Sequence, residues 1–325
     1  SYRSGDIGQA IDYYKKAAQS FEKVYGSNHP SVAMTYNNLG ASYFQLGDLK
    51  KAISYLEESA DIQKEVRGAN HPDLATSYNN IGGLYLELKK FEQAKQYLQQ
   101  AIAIRKKALG PNHPKLSNTY STLGNLFLRQ QQPDSAISYF EREVEITQTQ
   151  RGKNHPYVAD ALNNIARSYA DQQFYGQALS YHQKALQTLS YQFSLDDVSR
   201  NPAVSDLRYP SHTVNVLYAK GKTLQQQAKS NSQQAMLKTA LSTFVRLSEL
   251  LDFLQAGFQS EQSKLLMSRE SHTMYEHGIE IAHQLYKDTN EQQYASRAFY
   301  FAEKSKTRVI RELIKTQQAK QYAGI

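Results

Sequence analysis

Apolar residues in this chain gather at helical spacing, and the gatherings return on a fixed beat. Leu39, the small Gly40 and Tyr43 share one helix face, and the same set recurs as Ile81-Gly82-Tyr85, Leu123-Gly124-Phe127 and Ile165-Ala166-Tyr169. A second helical pattern follows each set, with Ala52, Leu56 and Ser59 in the first copy, and its small residue stands twelve positions after the first one, at Ala52, Ala94, Ala136 and Ala178. Four His-Pro steps, at His29-Pro30, His71-Pro72, His113-Pro114 and His155-Pro156, lie 42 residues apart. Proline suits the first helical position because its φ is pre-set and no amide is lost, so each step reads as a helix start capped by the preceding residue. Every repeat therefore predicts a helix A, a turn such as Leu46-Gly47-Asp48, and a helix B.

The rhythm has limits at both ends. Gly5-Asp6 reads as a turn into a helix B carrying Ala10, Tyr14 and Ala17, so the chain opens partway through a repeat and is expected to be a piece of a longer protein. After Leu189 the next His-Pro falls due at Asp197-Val198 and is missing. Residues 191–211, with Asn201-Pro202 and Tyr209-Pro210, read as a long loop or hinge. Helices are expected beyond it at about 212–228, 233–256, 260–288 and 291–320, with Ala240, Phe244 and Leu247, then Ala298, Ala302 and Ser305, copying helix B spacing. The expected organisation is a regular array over 1–190, a hinge over 191–211 and a degenerate block over 212–325. A period of this length built from two helices describes an all-α solenoid, in which each repeat packs on its neighbours and the stack presents an extended surface.

The small, aromatic and small residues at these spacings resemble tetratricopeptide repeats. The 42-residue length, with Gly-x-Asn-His-Pro and Tyr36-Asn37-Asn38-Leu39-Gly40, resembles the kinesin-light-chain type of that family over about residues 5–190. The resemblance implies a right-handed superhelix of about seven helix pairs. The closing stretch, Ala298 to Arg308, then Glu312-Leu313 and Ala319 to Ile325, resembles the segment that leads into CHAT domains, caspase-like peptidases commonly preceded by such arrays. Their catalytic His and Cys would lie beyond Ile325, and no residue here matches them. That resemblance implies a sensing or regulatory arm with a further domain as an intramolecular partner.

Composition narrows the chemistry. The chain has no cysteine, which removes thiol nucleophiles and disulfides and fits a reducing, cytoplasmic setting. The net charge of +8 is spread evenly, with 21 Lys and Arg against 17 Asp and Glu over 1–194 and 17 against 13 beyond, which argues against a nucleic-acid face. The one dense run is Arg297, Lys304, Lys306, Arg308, Arg311, Lys315 and Lys320, a solvated helix face or a docking surface. No window is apolar enough for a membrane helix. The His-Pro histidines sit about 10 Å apart in a stack of helix pairs, too far for one metal. His272, His277 and His283 are spaced five and six apart and share no face. With no Ser-His-Asp set and no phosphate loop, neither an enzyme nor a cofactor is expected.

The resemblance implies that helices A line a concave groove, so their polar residues are the candidate contacts. Asn38, Asn80 and Asn164 stand two before the small residue, and Asn37, Asn79 and Asn163 three before, while the third repeat departs with Ser121 and Thr122. Asparagine is a poor interior helix residue, and an amide both donates to and accepts from main chain, so a ladder of them grips an extended peptide without reading side chains. Asn37, Asn79 and Asn163 have a structural alternative as links between repeats. Asn125 and Arg167 stand one after the small residue and Arg129 five after; the two arginines suit acidic side chains. Phe44, Leu86 and Leu128 form apolar pockets or, alternatively, pack between repeats. The expected partner is a protein or an extended acidic-apolar peptide; an oligomerisation scaffold and a salt-sensitive nucleic-acid binder are the alternatives. No lysine occupies the positions needed for a clamp on a C-terminal carboxylate. The tyrosines at core spacing, including Tyr36, Tyr43 and Tyr55, are expected to fill seams.

Overall fold

The computed structural model describes residues 2–194, 197–231, 233–257 and 261–306. They form two compact units, within Ser1–Gly152 and Lys153–Ile325. In the first unit the helices are α1 (Tyr2–Tyr25), α2 (Pro30–Leu46), α3 (Leu49–Arg67), α4 (Pro72–Glu87), α5 (Phe91–Leu109), α6 (Lys115–Arg129) and α7 (Pro133–Arg151). The second holds α8 (Pro156–Asp171), α9 (Tyr175–Thr188), α10 (Pro210–Asn231), α11 (Gln234–Gly257), α12 (Glu261–Thr289) and α13 (292–306). The architecture is an all-α array of helix pairs, and among the described residues no helix is long and apolar enough to cross a membrane.

Helix starts follow from the His-Pro steps. The Nδ1 atoms of His29, His71 and His113 accept the backbone N–H two residues on at 3.2 Å, as His155 does at 3.3 Å, which satisfies one orphan donor of each first turn. Helix B ends at Gly68, Gly110 and Gly152 with φ of 86–91° and ψ of 158–161°, a region open only to glycine, which explains the invariant spacing of Gly-x-Asn-His-Pro. The A-to-B turn takes a positive φ at Gly47, and the same place is held by Lys89, Gln131 and Gln173 at 57–63°.

What joins A to B is a small residue under a large one. A Cβ on Gly40 would lie 2.5 Å from Leu56 Cγ, one on Gly82 would lie 2.6 Å from Leu98 Cγ, and Gly124 sits under the Phe140 ring. The alanines twelve positions on bring the backbone near, with Ala52 O at 3.1 Å and Ala94 O at 3.3 Å from those Cβ positions. Tyrosines fill the flanks: Tyr55 contacts Tyr36 and Tyr43 at 5.4 and 5.6 Å between ring centres, and Tyr97 repeats this with Tyr78 and Tyr85. The degenerate block keeps the device with a longer arm, since Gly221 faces Phe244 and Gly278 faces Phe301. There the two residues are 23 apart instead of 16, because the helices are longer.

One expectation changes and another narrows. α1 runs unbroken through Gly5 and Asp6, since the four residues before Gly5 are too few to fold back across a turn. Between the loop and the hinge expected before α10, the described residues form a pinned loop. Ser190 and Leu207 form a β-bridge, Arg208 N–H donates to Leu189 O, and Lys220, fully buried, donates to Gln183 Oε1 at 3.0 Å, Arg200 O at 2.6 Å and Asn201 Oδ1 at 2.9 Å. Asn201 Nδ2 donates in turn to Thr243 of α11 at 3.1 Å. One ammonium thus pins α9, the strap and α10 together, which draws the fourth repeat into the second unit. In the charge run, Lys304 pairs with Asp252 at 2.6 Å; Arg308, Arg311, Lys315 and Lys320, with the rest of the helix expected to 320, lie outside the described residues.

Two outcomes test this account. Gly82→Ala should destabilise by about 1–3 kcal/mol through overpacking on Leu98, whereas Gly83→Ala, with open space around its Cβ, should stabilise by about 0.5–1 kcal/mol through helix propensity; urea unfolding of both separates the seam from the helix. Burial pushes the Lys220 ammonium from 10.5 down to about 7, against the pull of Asp197. The unfolded chain therefore binds a proton that the folded chain lacks between those values, and stability should rise as pH climbs through that window. Lys220→Met should flatten that slope, as measured by unfolding across the window, and orphan Gln183 Oε1 at a cost of about 1–3 kcal/mol.

Candidate functional site

Within the first compact unit the helix A faces carry the asparagine positions. Asn80 Nδ2 donates to Asn37 Oδ1 at 3.0 Å, so one rung, two before the small residue, holds the rung three before it in the preceding repeat. Asn79 Oδ1 is buried without a protein partner. Asn38 and Asn125 are half-buried, and Thr122, where the ladder lapses, donates back to Asn118 O of its own helix. Arg129 is already engaged: its guanidinium grips Glu87 at 2.5 and 3.2 Å and donates to Leu86 O at 3.3 Å, because position five of the preceding repeat lies directly across from it. It is therefore not the open partner for an acid that its position implied. Leu86 is only 4% exposed and packs as core, so it offers no pocket; Leu128 is half-buried and Phe44 is exposed.

Within the second unit, α8 and α10 flank a cleft of about 630 Å³. Its walls fall on one register: Asp160, Asn163, Asn164, Arg167 and Asp171 count −6, −3, −2, +1 and +5 from Ala166, and Asn215, Tyr218, Ala219, Lys222 and Gln226 count the same from Gly221. Two helices A side by side thus put ladder positions and cations in one cavity. His212 and Asp160 pair at 3.0 Å near one end. Toward the other, Arg167 and Lys222 form no ion pair among the described residues, and Lys222 lies 5.5 Å from the centre of the Tyr218 ring. Burial raises the Asp171 carboxyl, with Arg167 and then Lys222 opposing it. Asn163 is 7% exposed, its Oδ1 3.0 Å from His182 Nδ1, so it faces inward more than a simple rung would. Among the described residues no group of three or more His, Asp and Glu could hold a metal.

The cleft gathers Asn163, Asn164 and Arg167 and leaves the other expected residues on the first unit. His212, Asn215 and Lys222 were missed because they follow the break in rhythm; counting from Gly221 as from Ala166 would have found Asn215 and Lys222.

The family model for the tetratricopeptide repeat matches residues 2–65, 31–107, 73–149 and 118–190. The chain belongs to the tetratricopeptide repeat family. Among solved structures, this tetratricopeptide protein is similar to BtubC (BKLC) from P. vanneervenii, with a TM-score of 0.60 at 17% identity over 78% of this chain and 94% of that one. It is also similar to the apo form of RapI, with a TM-score of 0.55 at 14% identity over 94% and 95%. A putative kinesin light chain of Podosopora anserina aligns at 22% identity over 57% and 89%, with a TM-score of 0.49. At these identities the likeness to BtubC and RapI speaks to the fold. No curated protein matches.

In this tetratricopeptide array the cleft cations oppose the upward shift of the partly desolvated Asp171 carboxyl. Arg167→Met should move the Asp171 titration upward, and Lys222→Met should do so to a smaller extent, as followed by carboxyl NMR; unchanged titration in both would remove the cleft cations from that account.

Proposed function

We propose that the protein is a non-catalytic scaffold that binds an extended protein segment on the A-helix faces of its repeats. The observation that carries this reading is the cleft between α8 and α10, where the ladder position Asn164, Asn163 and the cations Arg167 and Lys222 open onto one cavity. Amides serve a main chain of any sequence, and the cations select for acidic side chains nearby. On the first unit, exposed Phe44 with Asn38 and the Asn37–Asn80 pair offers an apolar and amide surface of the same kind. An acidic-apolar peptide fits both. The resemblance of the closing stretch to the lead into CHAT domains supports a role as the regulatory arm of a longer protein, with a peptidase domain as its intramolecular partner.

The test is selection from a displayed pool of acidic-apolar peptides, followed by affinity measurement on a variant carrying Asn38→Ala, Asn80→Ala and Asn164→Ala. Main-chain hydrogen bonds contribute about 0.5–1.5 kcal/mol each, so binding should fall about tenfold or more while helicity and melting temperature stay nearly constant. Unchanged affinity would overturn the ladder. A scattering mass above the 37.0 kDa of one chain would favour the oligomerisation scaffold instead, and binding to single-stranded nucleic acid that collapses with added salt would favour the other alternative.

A further inference from the structure

In the first three repeats the side chain that packs onto the small residue of helix A, sixteen positions later, is Leu56, Leu98 or Phe140. The fourth repeat has His182 there, sixteen after Ala166, and it is fully buried. An imidazole in an aliphatic seam position needs partners for both nitrogens. It has them: Nδ1 lies 3.0 Å from Asn163 Oδ1 on α8, and Nε2 lies 3.1 Å from Thr223 Oγ1 on α10. Both partners line the cleft.

The ring carries a single proton. Burial pushes it down to about 3, and the nearby charges of Lys220 and Arg167 push the same way. An amide oxygen cannot donate, so the contact with Asn163 Oδ1 requires the proton on Nδ1, which leaves Nε2 as an acceptor beside the Thr223 hydroxyl, whose one proton also faces Ala219 O of its own helix at 3.0 Å. The proton order then runs from the ring to Asn163, with the Thr223 hydroxyl proton shared between Nε2 and Ala219 O. With Oδ1 taken up by the ring, Nδ2 is what Asn163 has left to give a ligand.

We infer that His182 is a positioning residue that locks the Asn163 amide in one sense, so that the cleft floor offers N–H donors and reads carbonyl or carboxylate oxygens of a bound chain. This rests on the peptide-binding reading and narrows it: beside Arg167 and Lys222 the floor becomes donor-rich, and a ligand's oxygens, not its N–H groups, face α8. A leucine at 182, the residue two other repeats use, would fill the seam and leave the amide free to turn.

Long-range proton–nitrogen NMR on the native chain reads the ring directly. A proton on Nδ1 is expected; a proton on Nε2 would overturn the inference. Acetyl-tetraglycine-amide, which offers main chain and nothing else, is the binding probe, followed through the side-chain amide signals of Asn163 and Asn164. Wild type should shift both, and His182→Leu should bind several-fold more weakly, with the Asn163 response lost, the Asn164 response kept and the melting temperature no lower. Equal binding by His182→Leu would overturn the positioning role. Should that variant misfold, Thr223→Val removes the hydroxyl proton and should mix the two ring tautomers; an unaltered ring would count against the relay. Absence of any shift in wild type would overturn the peptide reading, while the ring nitrogens would still decide the orientation of Asn163.

Discussion

Everything in this fold depends on the approach of helix A to helix B where one residue is too small to keep them apart. Gly40, Gly82, Gly124, Gly221 and Gly278 each lie under a large apolar side chain of the following helix. That contact sets how the two helices cross, because helices pack by seating the ridges of one in the grooves of the other. Tyrosine stacks and backbone carbonyls near the alanines reinforce it, but the missing Cβ is what lets them meet.

Once the crossing is set, the chemistry of the surface follows by counting. The same residue offsets from Ala166 and from Gly221 line the α8–α10 cleft, so the irregular second unit inherits the register of the regular repeats even though its helices are longer. That cleft combines asparagine amides and cations at matching offsets on two neighbouring helices. On the first unit, intramolecular pairing engages part of the corresponding helix faces. Arg129 and Glu87 neutralise each other, and Leu86 is spent on packing, so part of what looked available for recognition is used to bind neighbouring helices A to each other.

The second unit also carries a polar interior that the first lacks in this form. His182 and Lys220, adjacent in electrostatic reach, stand where aliphatic residues would serve stability better. Buried polar groups of this kind are retained at a cost unless every partner is in place. Here the partners are specific: Lys220 fastens the strap between α9 and α10, and His182 sits between Asn163 and Thr223, both of which line the cleft. The buried polar layer and the cleft lining therefore share residues.

The sequence by itself determined the helix pairs, their caps and their period, because these rest on local rules: proline at a first turn, a histidine accepting an amide two residues on, glycine where only glycine fits, and apolar residues every three or four positions. It also placed the asparagines on one helix face. Depth was beyond it. Whether Leu86 opens a pocket, whether Arg129 is free, whether Asn163 faces a ligand or a neighbour, and whether residues 197–209 swing or are pinned all depend on residues some 14 to 43 positions away, whose distance across the packed array no local pattern encodes. The tertiary structure decided those matters because burial and pairing are properties of neighbours, and here the decisive neighbour lies one or two helices along the chain.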